Sequence, residues 1–125
     1  MKRRDTSQQR AIRDAVETAR RPLSVQEIHE IAAARAPTLG LRTVYRAVSR
    51  MLEDGAIAPV SVPGQPDRYE DAAVAATHHH HFRCEGCDRV FDVNACPGGL
   101  NGMLPPGFKL VGHELLLWGL CAECA

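Results

Sequence analysis

The sequence predicts an α+β fold in two parts, a helical N-terminal part and a small β-rich C-terminal part. Three segments with helical spacing of apolar residues come before residue 55, and short strand-like runs follow them. The formal charge also changes sign: residues 1–54 carry 11 Lys and Arg against 7 Asp and Glu, whereas residues 55–125 carry 4 against 8. The first part therefore suits contact with a polyanion, and the second suits contact with cations.

Two helices are predicted in the first forty residues. Thr6 with Gln9 is typical of a capping box, and the helix that follows carries its apolar face on Ile12, Ala15, Val16 and Ala19. Ser24 with Glu27 indicates a second capping box, and Leu23 with Ile28 indicates a hydrophobic staple. The apolar face of this second helix comprises Ile28, Ile31 and Ala32.

A third helix, within residues 40–55, has an apolar inner face and a basic outer face. Its inner positions are Val44, Ala47, Val48, Met51 and Leu52. Gly55 is expected to end it, and two strand-like runs follow at 56–62 and 67–70, joined by the turn formers PGQPD. Three helices followed by a two-stranded hairpin describe a winged helix-turn-helix domain, which we expect to span residues 1–71.

After an expected hinge at 72–77, residues 78–125 predict a tiny β-rich domain. Strand-like runs occupy 78–84, 89–93, 108–112 and 113–119, and a Gly- and Pro-rich stretch separates the two pairs. So short a segment with few large apolar side chains does not usually hold together by its core alone. The domain therefore needs a metal ion, a partner chain, or both.

Four of the five cysteines form two C-x-x-C pairs, Cys84 with Cys87 and Cys121 with Cys124. The sequence has neither a secretory signal nor an apolar stretch that could span a bilayer, so we expect the cytoplasm, where such pairs persist as metal ligands more readily than as disulfides. Two pairs that meet give a closed tetrahedral thiolate cage for structural zinc, without an open position for catalytic water. Free or disulfide-paired cysteines and a thioredoxin-like redox pair are the alternatives.

A run of four histidines, 78–81, lies directly before the first cysteine pair. Side chains on a strand alternate between faces, so His78 and His80 point one way and His79 and His81 the other. One strand can then supply two separate metal sites, unless the run is merely solvated. Further candidate ligands, each of which can equally be an ordinary solvated side chain, are Glu70, Asp71, Asp92 and His113.

The order of these motifs resembles the ferric uptake regulator superfamily of bacterial metal-dependent repressors. The motifs are LRTVYR in the third helix, HHHHFRCEGC after the hinge and GFKLVGHELLLWGLCAEC at the end, and the resemblance covers essentially the whole chain. It implies an N-terminal winged helix-turn-helix DNA-binding domain and a small C-terminal α/β dimerisation domain with an antiparallel sheet. It also implies a cytoplasmic homodimer that binds double-stranded operator DNA, without a membrane or an organic cofactor.

By this resemblance the four paired cysteines are the structural zinc ligands, and a separate regulatory site lies beside the hinge. His79, His81 and Asp92 match that regulatory site. Glu70, with Asp71 as its substitute, matches the ligand from the winged-helix side. Many relatives have another regulatory histidine just before the second helix, where this chain has RRPLS and no histidine.

The resemblance implies a second, histidine-rich site formed by His78, His80 and His113. Relatives often supply it with a Glu from a helix after the second strand, where this chain has CPGGLNG and room for only a turn or two of helix. Cys96, the fifth cysteine, falls in this region. It either supplies the missing ligand or is buried and inert, and we favour the inert role.

The resemblance places DNA contacts on the outer face of the third helix. The expected residues are Arg42, Thr43, Tyr45, Arg46 and Arg50, with phosphate contacts added by Lys2, Arg3 and Arg4. A charged helix face that is simply solvated is the alternative. Metal at the regulatory site is expected to clamp the hinge and set the two winged helices of a dimer at a spacing that fits successive major grooves, so metal and DNA strengthen each other's binding.

We therefore expect a metal-responsive repressor of uptake or defence genes, and not an enzyme. Beside structural zinc, the second metal is zinc or iron(II), with manganese(II) as a further alternative. A peroxide-sensing repressor of the same family is the nearest alternative function. A small zinc hydrolase would need H-E-x-x-H, or H-x-E with P-C-x-x-C, and neither string occurs. A metal storage or chaperone protein would leave the winged helix without a purpose.

Overall fold

The computed structural model describes residues 7–125, and internal contacts divide the chain into two compact units that join between Thr77 and His78. The predicted cap at Thr6 and the predicted phosphate contacts of Lys2, Arg3 and Arg4 lie outside the described residues. No helix within 7–125 is both long and apolar enough to cross a membrane.

The first unit contains three packed helices and a hairpin. The helices are α1 (Ser7–Thr18), α2 (Val25–Ala33) and α3 (Leu41–Glu53). Their predicted inner faces form one core, whose centre includes Ile12, Ile28 and Val44, each with no exposed surface. Ile31 departs from the prediction because it is 41% exposed, so the buried face of α2 is narrower than its apolar spacing indicates.

Both predicted helix ends are formed as the sequence indicates. At the start of α2, the Glu27 N–H donates to Ser24 Oγ at 3.1 Å, and the Ser24 N–H donates to Glu27 Oε1 at 2.9 Å, which is a complete capping box. At the end of α3, Gly55 has a φ of +74°, and the Ala56 N–H donates to the Met51 carbonyl at 2.9 Å. This left-handed residue closes the helix and turns the chain into the hairpin.

The hairpin consists of β1 (Ile57–Val60) and β2 (Arg68–Asp71), paired antiparallel with Ala58 opposite Glu70. Backbone hydrogen bonds between Leu23 and Tyr69 add a one-residue bridge that ties the segment before α2 to the hairpin. The predicted hinge contains the four-residue helix α4 (Ala72–Ala75), whose N-terminus Asp71 caps.

The second unit is a three-stranded sheet with long loops. Its strands are β3 (His80–Cys84), β4 (Val90–Val93) and β5 (Leu116–Gly119), in the order β4-β3-β5. The β3–β4 pair is antiparallel, as predicted, but β5 runs parallel to β3, so the sheet is mixed. One 3₁₀ turn, Leu100–Met103, stands where a shortened helix is expected.

The predicted strand at 108–112 is wrong, and so is the predicted hairpin it would form with 113–119. Residues 108–112 form an irregular segment instead. Phe108 and Val111 are 66% and 94% exposed, so their apolar side chains find no cover within one chain. Strand-like composition was therefore not sufficient, because a strand also needs a neighbour with free backbone groups.

Candidate metal centres

The second unit gathers its ligand-type side chains into three clusters. The cysteine cage comprises Cys84, Cys87, Cys121 and Cys124. The strand site comprises His79, His81 and Asp92, and the His–Cys cluster comprises His78, His80, Cys96 and His113.

The cysteine cage is assembled by the sheet. Cys84 ends β3 and Cys87 lies in the turn that follows, while Cys121 and Cys124 lie just beyond the parallel strand β5. All four sulfurs lie within 4.8 Å of one another, and the Sγ atoms of Cys87 and Cys121 are 3.9 Å apart. Zn–S bonds of about 2.3 Å in a tetrahedron require sulfurs about 3.8 Å apart. The cage therefore fits a structural zinc ion.

Backbone groups prepare one sulfur of the cage to carry negative charge. The N–H groups of Cys121, Gly86 and Cys87 donate to Cys84 Sγ at 3.3, 3.3 and 3.4 Å. These hydrogen bonds, that of Cys121 first, lower the pKa of Cys84 to about 6. The pKa of Cys124 is raised to about 12, mainly by its hydrogen bonds with the Cys84 and Cys121 sulfurs and by burial. A thiolate among thiols is an arrangement that a divalent cation stabilises.

Gly86, inside the first C-x-x-C pair, is needed because the two halves of the cage approach closely there. A Cβ at this position would lie 2.9 Å from the Cβ of Cys124 and 3.0 Å from its sulfur. Across the same junction, Arg89 makes a 3.1 Å ion pair with Glu123. The sequence CEGC therefore contributes a small residue as well as two ligands.

The strand site is formed across the β3–β4 pair. Asp92 stands directly opposite His81 in the register, and His79 lies two residues earlier on the same side. The Nε2 atoms of His79 and His81 lie 3.5 and 3.4 Å from the same oxygen, Asp92 Oδ1. Two imidazole nitrogens and a carboxylate converging on one point form three ligands of a nitrogen–oxygen metal site.

The His–Cys cluster lies on the opposite side of β3. Cys96 Sγ is 3.3 Å from His78 Nε2, 3.5 Å from His80 Nε2 and 3.2 Å from His113 Nε2. Burial lowers the pKa of His80, and the neighbouring His78 and His113 lower it further, so its ring favours the neutral form that binds metals. The expectation that Cys96 is buried is wrong, because Cys96 is exposed to solvent.

No local sequence signal could have placed Cys96 against the histidines. The loop after β4 returns it to β3, and that path depends on long-range packing rather than on spacing. The available hint was compositional: one thiol was left over in the stretch where the resemblance expected a carboxylate ligand.

The remaining predicted site residues lie in the first unit. Glu70 is on β2, and Asp71 accepts a hydrogen bond from the Ala73 N–H at 3.3 Å, which gives it a capping role. On α3, Thr43 is half-buried, whereas the other predicted DNA-contacting side chains are exposed: Arg42, Tyr45, Arg46 and Arg50.

Comparison with known proteins gives a consistent set of relatives. The family model described as the ferric uptake regulator family matches residues 2–117. The Transcriptional regulator FurA of Mycobacterium tuberculosis is 28% identical over 92 residues, which are 71% of this chain and 61% of that protein. This chain thus spans less than two thirds of that relative.

Two further relatives match along nearly their whole length. The Zinc uptake regulation protein of Mycobacterium tuberculosis is 28% identical over 126 residues, which are 97% of this chain and 94% of that protein. A solved structure described as a zinc-bound manganese uptake regulator superposes with a TM-score of 0.78 at 26% identity, covering 95% of this chain and 91% of that chain.

Proposed function

The chain belongs to the ferric uptake regulator family, and from that premise we propose that it is a metal-responsive DNA-binding repressor of metal-uptake or stress-defence genes. The observation that carries the proposal is the convergence of His79 and His81 on one oxygen of Asp92. In the sequence, His79 and His81 directly follow the linker between the two units. The unit before the linker presents an exposed basic face on its third helix. The proposed location is the cytoplasm, which contains the DNA and keeps cysteine thiols reduced.

The regulatory site in this proposal consists of His79, His81 and Asp92, with Glu70 of the first unit as the further ligand. A divalent ion bound by ligands of both units would restrict the hinge at 72–77. If the metal-bound protein binds DNA more tightly than the metal-free protein does, then DNA must strengthen metal binding by the same factor, because the coupling is reciprocal. The nitrogen and oxygen donors suit zinc, iron(II) or manganese(II), and the cysteine cage supplies structural zinc.

The proposed DNA-binding surface is the outer face of α3. Arginine side chains can grip guanine or phosphate, and an exposed tyrosine can contact base edges. Tyr45 is 53% exposed despite its size, and Val44 and Val48 on the opposite side of α3 are buried, so the helix is fixed with its polar side outward. The proposed contacts are those of Arg42, Thr43, Tyr45, Arg46 and Arg50.

A homodimer is part of the proposal, because the second unit exposes several large apolar side chains. On and after the edge strand β5, Leu117, Trp118 and Leu120 are 44%, 66% and 54% exposed. Phe108 and Val111 are exposed as well. Exposed large apolar side chains of this kind are typical of interfaces, and a second copy would cover them symmetrically.

The cysteine cage has a structural and not a catalytic role in this proposal. Four thiolates close the coordination shell of a cage zinc, and this leaves no position at which water could be activated. In this proposal the imidazoles and the carboxylate of the strand site serve as ligands of the regulatory ion.

The test is DNA binding across a metal series. Protein that retains its cage zinc is incubated with fragments of the upstream region of its own gene and with zinc, iron(II) or manganese(II), and binding is followed by gel shift. We expect one metal to strengthen binding by at least about 10-fold, the size of ordinary allosteric coupling. The His81→Ala variant should lose the metal response and keep the cage zinc.

The DNA surface is tested separately with matched charge removals. Arg46→Ala on α3 should weaken DNA binding by roughly 10-fold or more, as loss of a base or phosphate contact does. Arg13→Ala removes the same charge from α1 and should have a much smaller effect. Equal effects of the two substitutions, or metal-independent DNA binding by the wild type, would refute the proposed function.

A further inference from the structure

The unusual feature of the His–Cys cluster is its sulfur. The resemblance offered three histidines, His78, His80 and His113, for a second metal site, and in the structure the thiol sulfur of Cys96 lies within 3.5 Å of the Nε2 atoms of all three. We infer that Cys96 is a metal ligand, and that the cluster is a tetrahedral three-nitrogen, one-sulfur site for zinc.

Four of the six distances between the donor atoms lie close to the edges of a coordination tetrahedron, and all four atoms lie within 4.8 Å of one another. Bonds of about 2.3 Å to sulfur and about 2.05 Å to imidazole nitrogen require S···N edges of about 3.6 Å and N···N edges of about 3.3 Å. The S···N distances from Cys96 are 3.2, 3.3 and 3.5 Å, and His80 Nε2 lies 3.2 Å from His113 Nε2. The four atoms can therefore surround one ion with only small adjustments.

Hydrogen bonding alone accounts poorly for this arrangement. A thiol donates one proton weakly and accepts weakly, so contacts with three imidazole nitrogens would combine one weak donated bond with weak accepted ones. The sulfur also has the Pro97 carbonyl at 3.6 Å as a competing acceptor. Three nitrogens directed at one sulfur, and two of them at each other, are instead the arrangement expected of ligands that share a cation.

Three segments of the chain hold these ligands in place. His80 is on β3 and is 2% exposed, which fixes the position of its ring. His78 lies just before that strand, Cys96 lies in the loop after β4, and His113 lies before β5. A metal ion here would join both loops to the central strand, in a unit whose apolar core is small.

The donor set determines which metals the site prefers. A thiolate with three imidazoles is soft enough to favour zinc, whereas manganese(II) and magnesium prefer oxygen ligands. The strand site, with its carboxylate, accepts harder ions. The two sites on opposite sides of β3 therefore differ in selectivity, and the His–Cys cluster is expected to fill with zinc even when the strand site holds another metal.

This inference deepens the proposed function, since it uses histidines that the family resemblance offered as ligands, but it does not require the protein to bind DNA. Cobalt(II) is the probe, because a cobalt–thiolate bond gives a near-ultraviolet charge-transfer band that nitrogen and oxygen ligands do not give. Full-length protein with zinc in its cage is titrated with cobalt(II), and zinc released from the cage is measured with a colorimetric chelator.

We expect the band to grow to one added equivalent at the His–Cys cluster, without zinc release. The Cys96→Ser variant should lose the band and bind zinc at this site roughly 100-fold more weakly, at the upper end of effects seen for groups that support metal ligands. Cys96→Asp should still bind an ion but show no band. Asp92→Asn, which alters the strand site, and Asn94→Ser, an exposed neighbour, should both keep the band.

Two results would overturn the inference. One is a band of equal strength in the wild type and in Cys96→Ser, which would locate the cobalt–thiolate bond in the cage. The other is binding of cobalt by the wild type without any thiolate band. Loss of the DNA response with the band retained would count against the proposed function alone.

Discussion

The two units of the protein bury different kinds of side chain. In the first unit, fourteen buried residues between Ala11 and Ile57 form one apolar core beneath three helices and a hairpin. In the second unit, which is described throughout, the buried residues are His80, Cys84 and Val90, two of them candidate metal ligands. Apolar burial thus stabilises the first unit, whereas the second buries ligand-type side chains and has little apolar core.

We expect the largest loss of stability when a ligand of the cysteine cage is removed. In Cys121→Ser we expect loss of zinc and unfolding of the second unit, because structural zinc contributes about 10 kcal/mol or more to domains of this kind. Amide hydrogen exchange on the full chain should show protection lost over 78–125 and retained in α1–α3. The Cys96→Ser variant should keep both the cage zinc and the protection of the cage strands. Retained protection in Cys121→Ser would show that the core of this unit suffices.

The next largest effect is expected in the apolar core of the first unit. Ile28→Ala removes a fully buried side chain and should cost about 2–5 kcal/mol, through lost burial and the cavity left behind. Denaturant unfolding would measure this loss, and the zinc content should not change. Ile31→Ala on the same helix should cost much less, since Ile31 is 41% exposed. Similar losses for both would contradict the assigned face of α2.

A smaller effect is expected from crowding the two halves of the cysteine cage. Gly86→Ala introduces a Cβ that would meet Cys124 at 2.9 Å, so we expect a cost of about 1–3 kcal/mol in cage stability. Competition with a zinc chelator would detect it as easier removal of zinc by the chelator. Gly98→Ala is the matched control, because a Cβ there meets nothing within 4 Å. Unchanged zinc affinity in Gly86→Ala would mean that the two halves of the cage separate easily.

The smallest expected effect concerns a helix cap in the first unit. Ser24→Ala removes the acceptor of the Glu27 N–H and should cost about 1 kcal/mol of stability. Thermal unfolding of the first unit would report it, with Ser49→Ala on the exposed side of α3 as the control. A cost no larger than that of the control would show that the Arg21–Glu27 ion pair at 3.0 Å, rather than the cap, holds this helix end.

Features that depend on neighbouring residues along the chain could be predicted from the sequence. Apolar spacing located α1–α3, the Ser24–Glu27 pair located the start of α2, and Gly55 located the end of α3, since helix periodicity and caps are set within a few residues. The alternation of the histidine run likewise predicted that its rings fall into two groups. These local signals were enough to indicate the three helices and the hairpin of the first unit.

Other features depend on pairing between distant segments, and these were found only in the folded structure. The parallel placement of β5 beside β3, the irregular path of 108–112 and the return of Cys96 to the histidines are set by which segments meet across long loops. Loop closure leaves no periodic pattern in the sequence, because its entropic cost depends on the length of the loop and not on a repeat of residue types. The sequence left Cys96 either a ligand or an inert thiol, and the fold brings three imidazoles to its sulfur.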